Sequence, residues 1–242
     1  MRINQFIARC GVTSRRGADK LISSGCVMID GRAAVAGDQV DNTTCVLVNG
    51  KRISLPEDYS VIAYYKPVGV TCSEKDSHAE RLVTDEINSD RRLTYAGRLD
   101  KDSEGLLILT DDGALINAMM KSSEMHEKEY EVTVSGSISD EQLDHLSRGI
   151  YLKELGIKTR PCRVRRINSK TFYITLTQGL NRQIRRMCAS EGLKVTKLKR
   201  TRVMNILLGD LQVGASRKLT EEELKRLYSD CGLHRFDDRN LM

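Results

Sequence analysis

Residues 97–113, GRLDKDSEGLLILTDDG, place three carboxylates, those of Asp100, Asp102 and Glu104, directly before the apolar run LLILT. An apolar run of this length, bounded by Gly and by Asp-Asp-Gly, is typical of a buried strand. A polar loop held by a rigid strand is a common position for catalytic groups. The spacing alone leaves three interpretations open: a turn with solvated acids, the carboxylate pair of a glycoside hydrolase, and a divalent metal site.

Strand-like and helix-like patterns continue on both sides of this stretch. The predicted strands are 61–65, 105–110, 130–134, 163–167 and 171–177, and the predicted helices are 113–121, 140–146, 182–190 and 220–228. These elements mix without regular βαβ alternation, and short turns join several of the strands. The pattern predicts an α+β domain with a mainly antiparallel sheet and flanking helices.

The N-terminal residues have a different pattern, which predicts a small module of two short helices and a few short strands. Thr13 or Ser14 is placed to cap the second helix. Asp30-Gly31 and Asn49-Gly50 are hairpin turn signals. The chain is therefore predicted to have three parts, which are the module over 1–58, the α+β domain over 59–230 and a polar tail, with no assigned role, over 231–242.

Composition limits the classes of protein to which the chain can belong. Of its 242 residues, 40% are hydrophobic and 30% are charged, which is enough apolar content for a folded core. No stretch approaches the roughly 18 uninterrupted apolar residues of a membrane-spanning helix, so we expect a soluble cytoplasmic protein with no membrane partner. Seven scattered cysteines without a CxxC pair predict reduced thiols. Four separated histidines, His78, His126, His145 and His234, lack metal-ligand spacing, so no metal is expected.

The positive charge of the chain is concentrated in one segment. Residues 158–202 contain fourteen Lys and Arg and one acidic residue, so this segment carries +13 although the whole chain carries only +6. A run of charge is usually a solvated face. Here the run contains strand-like and helix-like patterns, so it is expected to be a folded surface. A folded surface of one positive sign predicts a nucleic-acid partner.

The module at the N-terminus resembles a known RNA-binding fold. Residues 14–32, SRRGADKLISSGCVMIDGR, resemble the core of the S-four-type (alpha-L) RNA-binding domain. The resemblance implies that Arg15, Arg16 and Lys20 contact RNA. From the residues alone, a structural cap with a few surface arginines remains the alternative.

The larger domain resembles the RsuA-type pseudouridine synthases. The motif at 97–113, KEY at 128–130, GLNRQIRRM at 179–187 and LKRTRVMNILLGDLQVGASRKLTEEEL at 198–224 match this family in order. The combination is most similar to the RluF-like branch, which acts on large-subunit ribosomal RNA. The resemblance implies that the chain isomerises a uridine without a cofactor. The chain indeed lacks a P-loop and a dinucleotide fingerprint.

The resemblance also assigns roles to individual residues. It places the catalytic nucleophile at Asp100 and its arginine partner at Arg185, with Arg182 and Arg186 as competitors. Tyr130 is expected to stack on the extruded uracil. Leu198 is expected to pack beneath the tyrosine or the base, and Asp102 and Glu104 to brace the loop. Arg98 is a candidate for filling the gap that the flipped base leaves in the RNA, with a phosphate-binding or salt-bridged role as the alternative. The expected RNA contacts are Arg98, Arg182, Arg186, Lys197 and Arg200.

Alternative functions remain open at this point. The same activity could act on a transfer RNA stem-loop. A second alternative is a catalytically silent RNA-binding factor in ribosome assembly. A third is a hydrolase that pairs Asp100 with Asp102 or Glu104, although this alternative leaves the basic segment unexplained. We expect a monomer whose partner is RNA.

Overall fold

The computed structural model describes residues 1–73 and 80–233, which divide into two compact units. Most of the predicted tail, with His234, and also His78 lie outside the described residues. The helices are α1 (Ile3–Arg9), α2 (Arg15–Ser23), α3 (Val83–Glu86), α4 (Gly113–Met120), α5 (Asp140–Arg148), α6 (Gln183–Ser190) and α7 (Glu221–Asp230). The strands are β1 (Val27–Ile29), β2 (Arg32–Ala33), β3 (Val46–Val48), β4 (Lys51–Ile53), β5 (Val61–Lys66), β6 (Thr94–Tyr95), β7 (Glu104–Thr110), β8 (Lys128–Val134), β9 (Tyr151–Leu152), β10 (Ile157–Lys158), β11 (Arg163–Arg166), β12 (Thr171–Leu176), β13 (Val195–Val203), β14 (Ile206–Leu207) and β15 (Ser216–Lys218).

The first unit packs α1 and α2 against a four-stranded sheet with the order β2-β1-β3-β4. Of the two candidate caps, Ser14 begins α2, because its hydroxyl accepts a hydrogen bond from the Gly17 amide at 3.1 Å. Asp30-Gly31 and Asn49-Gly50 both have positive φ, as the predicted tight hairpin turns require. The buried core of this unit consists of small and aliphatic side chains around Phe6.

Two short segments beyond residue 60 belong to the first unit, which differs from the predicted boundary between 58 and 59. These segments are 89–94 and 110–113. Arg91 connects them, because its guanidinium lies 2.6 Å from the Asp58 carboxylate and 3.3 Å from that of Asp111. Contacts between residues distant in the chain are not visible in a linear pattern, so the sequence placed both segments in the larger domain.

The second unit is built on a nine-stranded sheet, whose main path is β11-β12-β8-β13-β7-β5-β15. The pairings of β13 with β8, β8 with β12 and β5 with β15 are antiparallel, whereas β13 runs parallel to β7. One apolar cluster, which includes residues of α4 and α7, contains Leu106 and Ile108 of β7. A second, which includes residues of α5 and α6, contains Val132 and Val134 of β8. The predicted α+β class is confirmed.

β13 is the central long strand of this sheet, and its neighbour β7 approaches it very closely at one residue. Gly105 of β7 pairs with Arg200 of β13 and has a φ of +111°. A Cβ atom at Gly105 would lie 2.3 Å from the Arg200 carbonyl oxygen and 2.5 Å from its amide nitrogen. Glycine is therefore required at residue 105 both by backbone conformation and by the space between the strands.

Among residues 1–73 and 80–233, no helix is long and apolar enough to cross a membrane. The same residues contain no group of three His, Cys, Asp or Glu side chains that could hold a metal ion.

The close approach at Gly105 leads to a stability prediction. Gly105→Ala should lower the free energy of unfolding by about 3 kcal/mol or more, because strain at positive φ adds to a clash with backbone atoms that cannot move freely. Gly209→Ala is the matched control, since Gly209 also has positive φ, +55°, but its Cβ would meet nothing within 4 Å. The control should lose only about 1–2 kcal/mol. Urea denaturation of both variants checks this, and equal losses would contradict the packing argument.

Candidate active site

A cavity of about 480 Å³ in the second unit brings together most of the predicted catalytic residues. We call it the Asp100 cavity. Arg98 and Asp100 line it from the loop before β7, Tyr130 lines it from β8, and Leu198 lines it from β13. Arg182, which directly precedes α6, forms a further part of the wall.

Arg200 holds the loop that carries Asp100. Its side chain is buried, with 1% of the residue exposed. Nε donates a hydrogen bond to the Leu106 carbonyl at 2.7 Å, and the two Nη atoms donate to the carbonyls of Arg98 and Gly97 at 3.4 Å each. Arg200 also lines the Asp100 cavity, and its contact with RNA remains a prediction. A guanidinium committed to three carbonyl oxygens inside the fold fixes the loop, and the sequence did not distinguish this arginine from its exposed neighbours.

Asp100 itself is left available for chemistry. Its carboxylate is about one-third exposed, at 34%, and lies 3.8 Å from Nη1 of Arg182. The loop closes a tight turn at this point, since the Ser103 amide donates to the Asp100 carbonyl at 3.1 Å. Among the described residues, no side chain or backbone amide donates a hydrogen bond to the Asp100 carboxylate within 3.5 Å. The turn therefore fixes the backbone of Asp100 and leaves its carboxylate facing the cavity.

Asp102, two residues later, accepts the side-chain hydrogen bonds that Asp100 lacks. Arg182 donates to both carboxylate oxygens of Asp102, at 2.9 and 3.2 Å. This hydrogen-bonded pair, with the nearby Arg185 guanidinium, lowers the pKa of Asp102 below its usual value. The ionised Asp102 thus braces the loop against α6, as was expected from the sequence for this residue.

The structure places Arg185 differently from the sequence-based prediction. Instead of facing Asp100, its Nη2 atom donates to the Asp102 carbonyl at 2.8 Å and lies 3.3 Å from the Asp102 carboxylate. Arg186 forms an ion pair with Glu154. Arg182 is the arginine nearest to Asp100. Its φ of +50° places it outside α6, so the helical spacing that grouped 182, 185 and 186 on one face does not apply.

Tyr130 and Leu198 give the Asp100 cavity an aromatic and an apolar surface. Tyr130 is half-buried on β8, directly opposite Arg200 of β13 and Ile174 of β12. Leu198 is buried, with 7% exposed, and packs in the same core cluster as Tyr130. Both side chains line the Asp100 cavity.

Lys128 is a cavity residue that the sequence reasoning missed. It lies two residues before Tyr130 on β8, so both side chains project from the same face of the strand. Burial, with a smaller contribution from the Arg200 charge, lowers the pKa of Lys128 to about 8. Among the described residues, no carboxylate lies within ion-pair distance of its amine. The signal was present in the KEY motif, whose lysine received no role.

A second lysine, Lys66, is completely buried at the end of β5. Its amine donates to the carbonyls of Pro67 and Val70 at 2.7 and 2.9 Å. Burial lowers the pKa of Lys66 to about 8. Cys72, which lines the Asp100 cavity, is buried nearby, and burial raises the pKa of its thiol.

The remaining predicted RNA contacts occupy several environments. Arg98 is exposed at the Asp100 cavity, and Lys197 forms an ion pair with Glu104 at 3.2 Å. The Arg186 ion pair with Glu154 restricts that guanidinium, but a quarter of its side chain is still exposed. In the first unit, α2 exposes three basic side chains, those of Arg15, Arg16 and Lys20. RNA contact by these residues remains a prediction.

Comparison with known proteins gives consistent matches. The model of the RNA pseudouridylate synthase family matches residues 60–190. The chain is 44% identical to a dual-specificity RNA pseudouridine synthase RluF of Salmonella typhi, over 94% of this chain and 78% of that protein. It is 36% identical to a ribosomal large subunit pseudouridine synthase B of Bacillus subtilis, over 93% and 95% of the respective chains. A crystal structure of a pseudouridylate synthase superposes with a TM-score of 0.70 at 26% identity, covering 94% and 99% of the two chains.

The hydrogen bonds of Arg200 lead to a second stability prediction. Arg200→Lys keeps the charge, but a single amine cannot reach all three carbonyls, so the free energy of unfolding should fall by about 2–4 kcal/mol. Lys194→Ala is the control, because Lys194 is exposed immediately before β13 and should shift stability by no more than about 0.5 kcal/mol. Denaturant titration of both variants measures the difference. An Arg200→Lys variant as stable as the unmodified protein would contradict the role of Arg200.

Proposed function

Since the chain belongs to the RNA pseudouridylate synthase family, we propose that it isomerises one specific uridine of large-subunit ribosomal RNA, with Asp100 as the nucleophile. The observation that carries the assignment of Asp100 is its contrast with Asp102. Asp102 is held by two hydrogen bonds from Arg182, whereas the Asp100 carboxylate faces the cavity. A nucleophilic carboxylate must be ionised and free to meet the substrate, and of these two acids Asp100 lines the cavity while Asp102 is hydrogen-bonded to Arg182.

The reaction needs positioning and proton transfer only. The bond from C1′ of the ribose to N1 of uracil breaks, a bond from C1′ to C5 forms, and the proton lost from C5 is balanced by one gained at N1. No electron donor, acceptor or phosphate transfer is required. The proposed enzyme therefore needs no metal or cofactor. We also propose that it acts in the cytoplasm as a monomer.

Each residue of the cavity then has a distinct role. The charge of Arg182, 3.8 Å from Asp100, favours an ionised nucleophile, a role that the sequence had given to Arg185. In this proposal the Tyr130 ring stacks on the uracil, and its hydroxyl assists proton removal from the base. Leu198 packs against the base or the tyrosine. Arg98 is proposed to occupy the gap that the extruded base leaves in the RNA.

The target uridine must leave its stack to enter the cavity, which costs a few kcal/mol. RNA sequence is read mainly in unstacked loops and ends. We therefore propose that the basic surface from residues 158–202 holds the RNA that flanks the target, and that α2 contacts the same RNA. A transfer RNA stem-loop remains the alternative substrate.

Asp100→Asn tests the nucleophile. The variant should lose pseudouridine formation by at least about 10⁴-fold, because an amide cannot act as the nucleophile. Its stability and RNA affinity should remain close to those of the unmodified protein, since the carboxylate accepts no hydrogen bond from the described fold. Pseudouridine formed in transcripts of large-subunit ribosomal RNA and of transfer RNAs is measured after chemical derivatisation.

Asp102→Asn is the matched control, because it removes the same charge from the same loop. It should retain measurable turnover, reduced through the loosened contacts with Arg182. Turnover by Asp100→Asn at the normal rate would exclude Asp100 as the nucleophile. Mapping of pseudouridines in cells with and without the protein identifies the uridine and separates the two substrate classes.

Lys128 gives a prediction for pH dependence. Its ammonium form is present below about pH 8 and is lost as the pH rises through that value. We expect the ammonium to donate to an oxygen of the bound nucleotide, so kcat/KM should fall as pH rises through 8. Lys128→Gln should be less active at pH 7 and should lack this decline.

Lys121→Gln is the control for the pH profile, because it removes a charge from the same cavity but its exposed amine pairs with Glu124. This variant should keep the decline near pH 8. Lys66 has a similar pKa, so a decline that persists in Lys128→Gln would assign the titration to Lys66 and contradict the role of Lys128.

A further inference from the structure

A second concave surface of the same unit lies beside the Asp100 cavity, between α6 and the two-stranded ribbon of β9 and β10. This ribbon cavity has a volume of about 690 Å³. Tyr151 and Glu154 of the ribbon form one side, and Arg186 and Ser190 of α6 form the other. None of these residues takes part in the chemical step proposed above.

The ribbon is held rigidly at its base. The Ile150 amide donates to the Thr159 hydroxyl at 2.9 Å, and the Thr159 amide donates to the Ile150 carbonyl at 2.9 Å. Thr159 is buried, and a Cβ atom at Gly149 would lie 2.3 Å from its carbonyl oxygen. The side chains of the ribbon are therefore presented from a fixed platform.

This platform exposes apolar surface in a strongly charged environment. Tyr151 is 57% exposed, Ile157 43% and Leu155 39%. Of these three, only Tyr151 lines the ribbon cavity, and Ile157 pairs with the buried Leu152 on the opposite face of the ribbon. An exposed aromatic ring beside arginines is the arrangement with which proteins bind single-stranded nucleic acid, because every base has a face that can stack.

Four basic residues line the ribbon cavity, Lys153, Arg182, Arg185 and Arg186, and they attract the RNA backbone, whereas the one acidic residue, Glu154, favours the edge of a base at its own position. Glu154 is oriented by its ion pair with Arg186 and remains 75% exposed. Its negative charge repels a phosphate, but its free oxygen positions can accept a hydrogen bond from an exocyclic amino group of a base. The ring of Tyr151 and the carboxylate of Glu154 thus fit the face and the edge of an amino-bearing base.

Arg182 connects this surface to the chemistry, since it lines both the ribbon cavity and the Asp100 cavity. We propose that the ribbon cavity binds an unpaired, amino-bearing base close to the target uridine in the same RNA strand, stacked on Tyr151 with its amino group on Glu154. This inference rests on the proposed function for the identity of the nucleotide in the Asp100 cavity. It assigns a substrate-selecting role to a surface outside the reaction centre.

The first experiment measures binding alone. Fluorescence anisotropy is used with ten-nucleotide single-stranded oligoadenylate and oligouridylate. Tyr151→Ala should bind oligoadenylate about tenfold more weakly, because a stacked base contributes about 1–3 kcal/mol. Tyr151→Phe, which keeps the ring, should remain within about twofold of the unmodified protein. Leu207→Ala, which removes an exposed apolar side chain outside the ribbon, is the matched control and should also remain within about twofold.

The amino group is tested by Glu154→Leu on the same two oligonucleotides, because leucine removes the acceptor oxygens that glutamine would keep. The unmodified protein should prefer oligoadenylate over oligouridylate, and Glu154→Leu should reduce that preference. The same preference in both proteins would overturn the contact with Glu154.

The second experiment locates the base. A stem-loop RNA with the mapped target uridine is prepared with an abasic nucleotide at each of the two positions on either side. For the unmodified protein, one of these abasic RNAs should bind about tenfold more weakly than the intact RNA. For Tyr151→Ala, the same abasic RNA and the intact RNA should bind with equal affinity. Such non-additivity identifies the stacked base.

These results separate the inference from the proposed function. If Asp100→Asn and the unmodified protein show equal isomerisation, or none, while Tyr151→Ala still loses RNA affinity, the proposed function fails and the binding surface stands. If Tyr151→Ala binds every RNA as tightly as the unmodified protein, the inference is overturned. Unchanged RNA affinity of Tyr151→Ala is also the result expected if the exposed apolar residues of the ribbon bind another protein.

Discussion

The burial of one guanidinium, that of Arg200, is the constraint on which the active-site geometry depends. A buried charge is costly unless polar groups surround it, and here three backbone carbonyls of the loop and of β7 do so. These carbonyls can reach the guanidinium only if β7 runs close beside β13, which the absence of a side chain at Gly105 allows. The solvation of Arg200 and the position of Asp100 are therefore one structural requirement.

The same loop shows how two chemically identical groups acquire different roles through their surroundings. Asp102 forms ion pairs with Arg182 and Arg185, so its charge stabilises the contact between the loop and the start of α6. Asp100 meets Arg182 only at 3.8 Å, so its carboxylate remains free for a substrate. Because Asp102 fixes the guanidinium that approaches Asp100, the bracing carboxylate also orients the cation beside Asp100.

The sequence predicted the strands and helices whose apolar residues follow a clear strand or helix pattern. It did not predict the strand that carries a buried charged residue. The LLILT run identified β7, and the capping residue identified α2. β13 was not predicted as a strand, because its lysines and arginines look like a surface, although Arg200 is buried within it. For the cation beside Asp100, the sequence favoured Arg185 over Arg182, whereas Arg182 lies within ion-pair distance in the structure. A left-handed residue at 182 is not encoded in helical spacing, and the motif position alone favoured Arg185.

The distribution of charge also has a different meaning in three dimensions than along the chain. Seven of the fourteen basic residues between 158 and 202 form ion pairs with acids from outside that segment, namely Arg163, Arg166, Arg182, Arg185, Arg186, Lys197 and Arg202. The Arg200 guanidinium is hydrogen-bonded to carbonyls of the loop that carries Asp100. The dependence of RNA affinity on salt reports the number of phosphates that are neutralised, not the number of cations in the sequence. Because so many of these cations are already paired within the fold, we expect the proposed RNA recognition to depend more on shape and on stacking surfaces such as Tyr130 and Tyr151 than the charge of +13 suggests.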